Sequence, residues 1–134
     1  MTTANSIVCR PYETFDFNSI NALNAAEGWT NLVERSEEVR KAFENSNCCF
    51  VALDEDKVVG YVRALTDGEV TLYVCELLIA EAYRGQGIGK ELLRVIHAKH
   101  PRTRIEMLAS STSRTYYESN GYRPFYGFRK TILE

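Results

Sequence analysis

The chain has 134 residues, 45% hydrophobic and 25% charged. That balance suits a folded soluble chain with one core and leaves little room for a second, so residues 1–134 read as one domain. The net charge of −2 lacks the basic excess that nucleic-acid binding ordinarily needs, and no apolar run approaches the ~18 residues of a membrane span.

Residues 1–6 show no positive region followed by an apolar stretch, so no secretory leader is expected. Cys9, Cys48, Cys49 and Cys75 offer no Cys-x-x-Cys spacing for zinc or redox chemistry. They are expected to be reduced thiols of a cytoplasmic protein, with no metal site.

Residues 7–10 read as a short strand stopped by Pro11. Residues 17–26 read as a helix, with Phe17, Ile20, Leu23 and Asn24 on one face and Gly28 at its end. The segment Asn31-Leu32-Val33-Glu34 has capping-box spacing and predicts a second helix. That helix would bury Val39 and Phe43 and end near Asn45. Residues 48–53 and 58–65 read as strands joined by the polar turn Asp54-Glu55-Asp56-Lys57, hence a hairpin. After the Asp67-Gly68 turn, residues 70–80 form a third, antiparallel strand.

Next comes Tyr83-Arg84-Gly85-Gln86-Gly87-Ile88-Gly89-Lys90. It lies between an apolar strand and a helix-period run in which Ile88, Leu92, Val95 and Ile96 make one stripe. A strand that turns through glycines into a helix start aims loop amides and the positive helix end at one point, which suits a phosphate. The loop lacks the Gly-x-Gly-x-x-Gly order and the following acidic residue of a dinucleotide site, and the Gly-Lys-Ser/Thr ending of a triphosphate loop.

Pro101 stops the helix, and residues 104–109 read as a strand entered after it, so it can lie parallel to strand 70–80. Ser110-Ser111-Thr112-Ser113 supplies N-caps for a short helix through Ser119, and Asn120-Gly121 stops it. Residues 122–133 are aromatic and β-branched, broken by Pro124 and Gly127, and predict one or two final strands. The fold class is therefore α/β (α+β): a mixed, mostly antiparallel sheet flanked by helices, unlike a doubly wound sheet. His97 and His100 read as surface residues.

With these elements placed, the chain resembles the GNAT superfamily of N-acetyltransferases. The family's Gln/Arg-x-x-Gly-x-Gly/Ala signature matches Arg84-Gly85-Gln86-Gly87-Ile88-Gly89. Its Phe-Tyr-Glu-x-x-Gly-Phe motif matches Tyr116-Tyr117-Glu118-Ser119-Asn120-Gly121-Tyr122, one helix and one strand later. The match is good over residues 48–122 and rests on element order alone before that.

The resemblance implies acetyl-coenzyme A as co-substrate and an amine as acceptor. Residues Arg84, Gly85, Gln86, Gly87, Ile88, Gly89 and Lys90 would hold the diphosphate. The backbone of Leu77, Leu78 and Ile79 would pair with the pantetheine arm as a missing strand would. Ser110 stands where the family often has an asparagine that contacts the cofactor, so that hydrogen bond is in question.

Acetyl transfer needs a deprotonated amine, a polarised carbonyl and a protonated leaving thiolate. Tyr117 matches the family's acid tyrosine; its neighbour Tyr116 is expected in the core. A strand amide, that of Leu78 or Ile79, could polarise the carbonyl. Glu76 is the expected base, its alternative being a carboxylate turned to solvent or held by Arg63. No Cys or Ser pattern points to a covalent intermediate.

The acceptor, a small molecule or peptide amine, would meet the aromatic surface of Tyr12, Phe15, Phe17 and Trp29; Glu27, Glu34, Glu37 and Glu38 would suit a cationic amine, their alternative being a helix face of charged residues in water. Thirteen residues follow Gly121, short for two terminal strands. The sheet is then one strand short or completed by a second copy in a homodimer. The alternative to an enzyme is an acyl-CoA-binding sensor of the same fold, which would need neither Tyr117 nor Glu76.

Overall fold

A computed structural model describes residues 6–134; most of the segment read as free of a leader lies outside them. Among the described residues, five strands form one sheet in the order β1-β2-β3-β4-β5: β1 Ile7–Pro11, β2 Cys48–Asp54, β3 Lys57–Thr66, β4 Thr71–Ile79 and β5 Arg104–Met107. The first four are successively antiparallel, and β5 joins β4 in parallel. The helices are α1 Phe17–Glu27, α2 Thr30–Glu34, α3 Ser36–Asn45, α4 Ile88–Lys99 and α5 Arg114–Ser119.

Each face of the sheet has its own core. On one, Phe50, Ala52, Val62, Leu72 and Val74 pack under Ile88, Leu92 and Ile96 of α4. On the other, Val51, Leu53, Tyr61 and Leu78 pack under Phe17 and Ile20 of α1 and Val39 and Phe43 of α3. The alternation of β2 sends its apolar run to both faces, which is why that run is continuous. Leu92 is fully buried. Leu92→Ala is expected to cost about 2–5 kcal/mol in denaturant unfolding, through lost burial and the cavity left behind.

Helix α1 ends as expected: Gly28 takes a left-handed φ of 81°, and its amide donates back into the last turn. The expected second helix is two. The chain leaves helical geometry at Arg35, and no side chain caps α2, so the Asn31–Glu34 spacing is not a capping box. Val39 and Phe43 are buried as expected. At the entry to α1, buried Asp16 accepts both guanidinium donors of Arg10 at 2.8 Å and the Glu13 amide at 2.8 Å. Burial alone would push its carboxyl up, but these hydrogen bonds outweigh burial and hold it below the usual range.

Two other expectations change. His97 is half-buried, its Nε2 donating to the Thr103 carbonyl at 2.9 Å, so it belongs to the turn after α4. Residues 122–133 form no strand. Pro124 cannot donate to a ladder, and at Gly127 the backbone comes so close to Leu108 that a Cβ would stand 2.1 Å from its Cδ2. The tail thus crosses the end of β5 rather than pairing with it. Phe125, Tyr126, Phe128, Ile132 and Leu133 are left exposed.

Candidate active site

The site begins where two strands part. Strand β5 pairs with β4 only from Thr71 to Val74, the last partner being Met107. Strand β4 runs on to Ile79, paired on its other side with β3 as far as Gly60. From Cys75 to Ile79 its outer edge has no strand partner among the described residues, so backbone donors and acceptors face an open slot.

A β-bulge lies at the parting. Arg63 pairs with Glu76 and Ala64 with Val74, leaving Cys75 as the extra residue. The bulge reverses which face each side chain meets. Val74 packs under α4, whereas Leu78 packs under α1 and α3, with Glu76 on that same side by alternation.

A cavity of about 670 Å³ fills the slot. Every residue expected to hold the cofactor or to act in catalysis lines it except Gln86. The Gln86 side chain is turned inward, with a buried Oε1 that has no hydrogen-bond partner. Glu27 and Trp29, expected on the acceptor side, also line it. Of the other aromatic residues expected there, Phe17 is buried in the core, Tyr12 stacks on Phe43, and Phe15 lies under Arg10.

Gly85 and Gly87 have φ of 79° and 83°, a left-handed conformation that glycine adopts without strain. Gly87 is also the N-cap of α4, so the amides that follow have no carbonyl four residues back. The loop is braced from two sides. The Tyr83 hydroxyl donates to Asp54 at 2.6 Å, at the end of β2. Arg84 Nε donates to the Ile79 carbonyl at 2.9 Å, and its Nη2 pairs with Glu27 at the end of α1. Arg84 therefore fastens the loop to α1, and its guanidinium is already engaged. Lys90 is the exposed cation of the first helical turn beside the cavity.

Glu76 and Arg63 make a two-pronged ion pair, Nε to Oε1 at 2.7 Å and Nη2 to Oε2 at 2.6 Å. Their side chains are only 16% and 17% exposed. Arg63 also donates to Ser46 Oγ at 3.1 Å. The Glu76 carboxylate is thus held by Arg63, and its hydrogen bond pushes the arginine pKa up.

Both tyrosines of α5 line the cavity. Tyr117 is half-buried against the α4-side core and meets the Tyr122 ring edge-on at 5.7 Å. Burial pushes its phenol up to about 12. Tyr116 differs from its expected core position: it is 40% exposed and reaches across to the start of α4. Ser110 lies in a turn of hydroxyls, within 2.9 Å of Thr112 Oγ1 and 3.1 Å of Ser113 Oγ.

A bound acyl-CoA would need a slot with a free strand edge, a glycine turn at a helix start, and space where side chains would otherwise project. Gly89 supplies a direct observation of that space. A Cβ there would stand 2.8 Å from the Tyr116 hydroxyl and 3.7 Å from both Ile79 Cγ1 and Leu77 Cδ2. The missing side chain thus leaves room for the Tyr116 hydroxyl where loop, strand and α5 converge, and the free strand edge, the glycine turn and Lys90 fit the group.

A mixed sheet parted at β4–β5 with this loop defines an acyl-CoA-dependent acyltransferase fold. The family model "Acetyltransferase (GNAT) domain" matches residues 45–124, and the chain belongs to the GNAT acetyltransferases. It is 30% identical to human N-acetyltransferase 8B over 119 residues, covering 80% of this chain and 52% of that protein. The chain thus spans about half the length of that curated relative. A GNAT family acetyltransferase from Streptococcus pneumoniae superposes with a TM-score of 0.80 at 25% identity, over 96% of this chain and 99% of the other. AAC(6')-Iy, solved in complex with the bisubstrate analog CoA-S-monomethyl-acetylneamine, gives a TM-score of 0.73 at 12% identity over 94% and 99% of the two chains, a likeness of fold alone.

Proposed function

We propose that this chain transfers the acetyl group of acetyl-CoA to a primary amine by direct attack. The observation that carries this reading is the cavity in which the free edge of β4, the glycine turn at α4, Tyr117 and Glu76 meet. When bound, acetyl-CoA supplies the activated acetyl group as a thioester.

The chain's own groups divide the remaining work. The loop from Gly85 to Lys90 receives the diphosphate through freed amides and the Lys90 ammonium. Gln86 serves by shaping the turn, and Ile88 by packing α4 beneath it. Arg84 acts as the brace that keeps the loop against α1. The backbone of Leu77, Leu78 and Ile79 pairs with the pantetheine arm, and the Leu78 or Ile79 amide polarises the carbonyl. Ser110 offers a hydroxyl at the other wall.

Tyr117 gives its proton to the departing sulfur. A phenol raised by burial stays protonated at neutral pH and can donate there. Glu76 is anchored by Arg63, yet each carboxylate oxygen has two acceptor directions. It can accept a further hydrogen bond from the incoming ammonium or a bridging water and draw off its proton. Glu27 and Trp29, at the acceptor side, suit a cationic amine that carries apolar surface.

Incubation with acetyl-CoA and a panel of primary amines tests the reading. Free thiol should appear only when an amine is present, fastest for amines with an apolar or aromatic body. Bound acetyl-CoA that no amine discharges would contradict the proposal.

A further inference from the structure

Tyr116 stands outside the roles assigned above, and its sequence position suggests only a place in the core. The geometry gives it another. Tyr116 and Tyr117 are consecutive on α5, so their side chains leave the helix about 100° apart. Their rings meet edge-on at 5.2 Å. Tyr117 turns toward Tyr122 and the α4-side core. Tyr116 instead crosses the cleft, its hydroxyl ending against Gly89, the second residue of α4. It lines the same cavity as Lys90 and Leu77. The same Gly89 Cβ position lies 3.7 Å from the Ile79 and Leu77 side chains on the free edge of β4. The hydroxyl therefore sits where a ligand held at the helix start would pass into the strand slot.

We propose that Tyr116 is a cofactor-binding residue whose hydroxyl hydrogen-bonds coenzyme A where its arm leaves the diphosphate, and that Gly89 is required because a side chain there would displace that hydroxyl. This rests on the acyl-CoA reading of the cleft. The two tyrosines then differ in role, Tyr117 serving the sulfur and Tyr116 the grip on the carrier. The proposal also explains why this chain needs glycine at position 89. A Cβ would approach the hydroxyl to 2.8 Å, and since the hydroxyl is the far end of a side chain, the ring gives way rather than the helix.

Calorimetric titration of coenzyme A into four proteins tests this: the parent chain, Tyr116→Phe, Gly89→Ala and the double variant. Loss of a hydrogen bond to a charged ligand region should weaken binding roughly tenfold in Tyr116→Phe. Gly89→Ala should weaken it similarly, and the double variant should be no weaker than either single one. With acetyl-CoA varied, Tyr116→Phe should raise KM for acetyl-CoA roughly tenfold and change it more than it changes kcat. Unchanged affinity in Tyr116→Phe, or additive losses in the double variant, would overturn the proposal. So would a fall in kcat with affinity retained. If the parent chain itself fails to bind coenzyme A, the acyl-CoA reading fails instead, and the two failures are thereby distinct. Thermal melts of all four show that each is folded.

Discussion

Tyr117→Phe is expected to lower kcat about 10²–10⁴-fold, the usual worth of a positioned general acid, while coenzyme A binds as before. The substitution keeps the ring that packs against Tyr122 and the core and removes only the hydroxyl. The pH dependence should carry the same signature. The parent rate rises with pH as the amine loses its proton. It should not fall again until the Tyr117 phenol ionises, near about 12. A decline that starts near pH ~10, the range of an ordinary phenol, would place the acid elsewhere. The same raised value has a consequence for stability. Its contribution is complete below the unfolded-state value near ~10 and is lost as pH rises toward the folded-state value.

Arg63→Ala is the second large effect. It leaves the Glu76 carboxylate 16% exposed, at the end of a strand slot, without the guanidinium that holds both its oxygens. Removing one partner of a buried pair strands a charge and typically costs about 3–5 kcal/mol. Urea unfolding should show that loss. Adding Glu76→Gln to Arg63→Ala should recover part of it, because the stranded charge is gone. A loss within about 1 kcal/mol would mean that the pair behaves as a surface ion pair.

The hairpin of β2 and β3, the crossover helix α4 and the parallel entry of β5 were legible because hydrophobic period, turn residues and Pro101 agreed at each point. The glycine loop was legible because Gly85 and Gly87 sit between a strand and a helix, where only a turn fits. The β-bulge at Cys75 was hidden. Residues on either side of it alternate as in an unbroken strand, and only the partner strand shows that one residue is extra. The link from Arg84 to Glu27 joins positions far apart in sequence and leaves no local pattern.

The tail failed for a related reason. Residues 122–133 favour strand by composition, yet Pro124 and the close approach of Gly127 to Leu108 deny them a partner. Tyr116 and Tyr117 are chemically identical in the sequence. Packing against Tyr122 and the space above Gly89 set them apart.

Mass spectrometry of a reaction containing the protein, acetyl-CoA and a discharging primary amine tests the central claim most directly. Direct transfer predicts an acetylated amine, free coenzyme A and a protein of unchanged mass at every time point. Acetyl groups that accumulate on the chain before the amine product appears, above all on Cys75, which also lines the cavity, would contradict it.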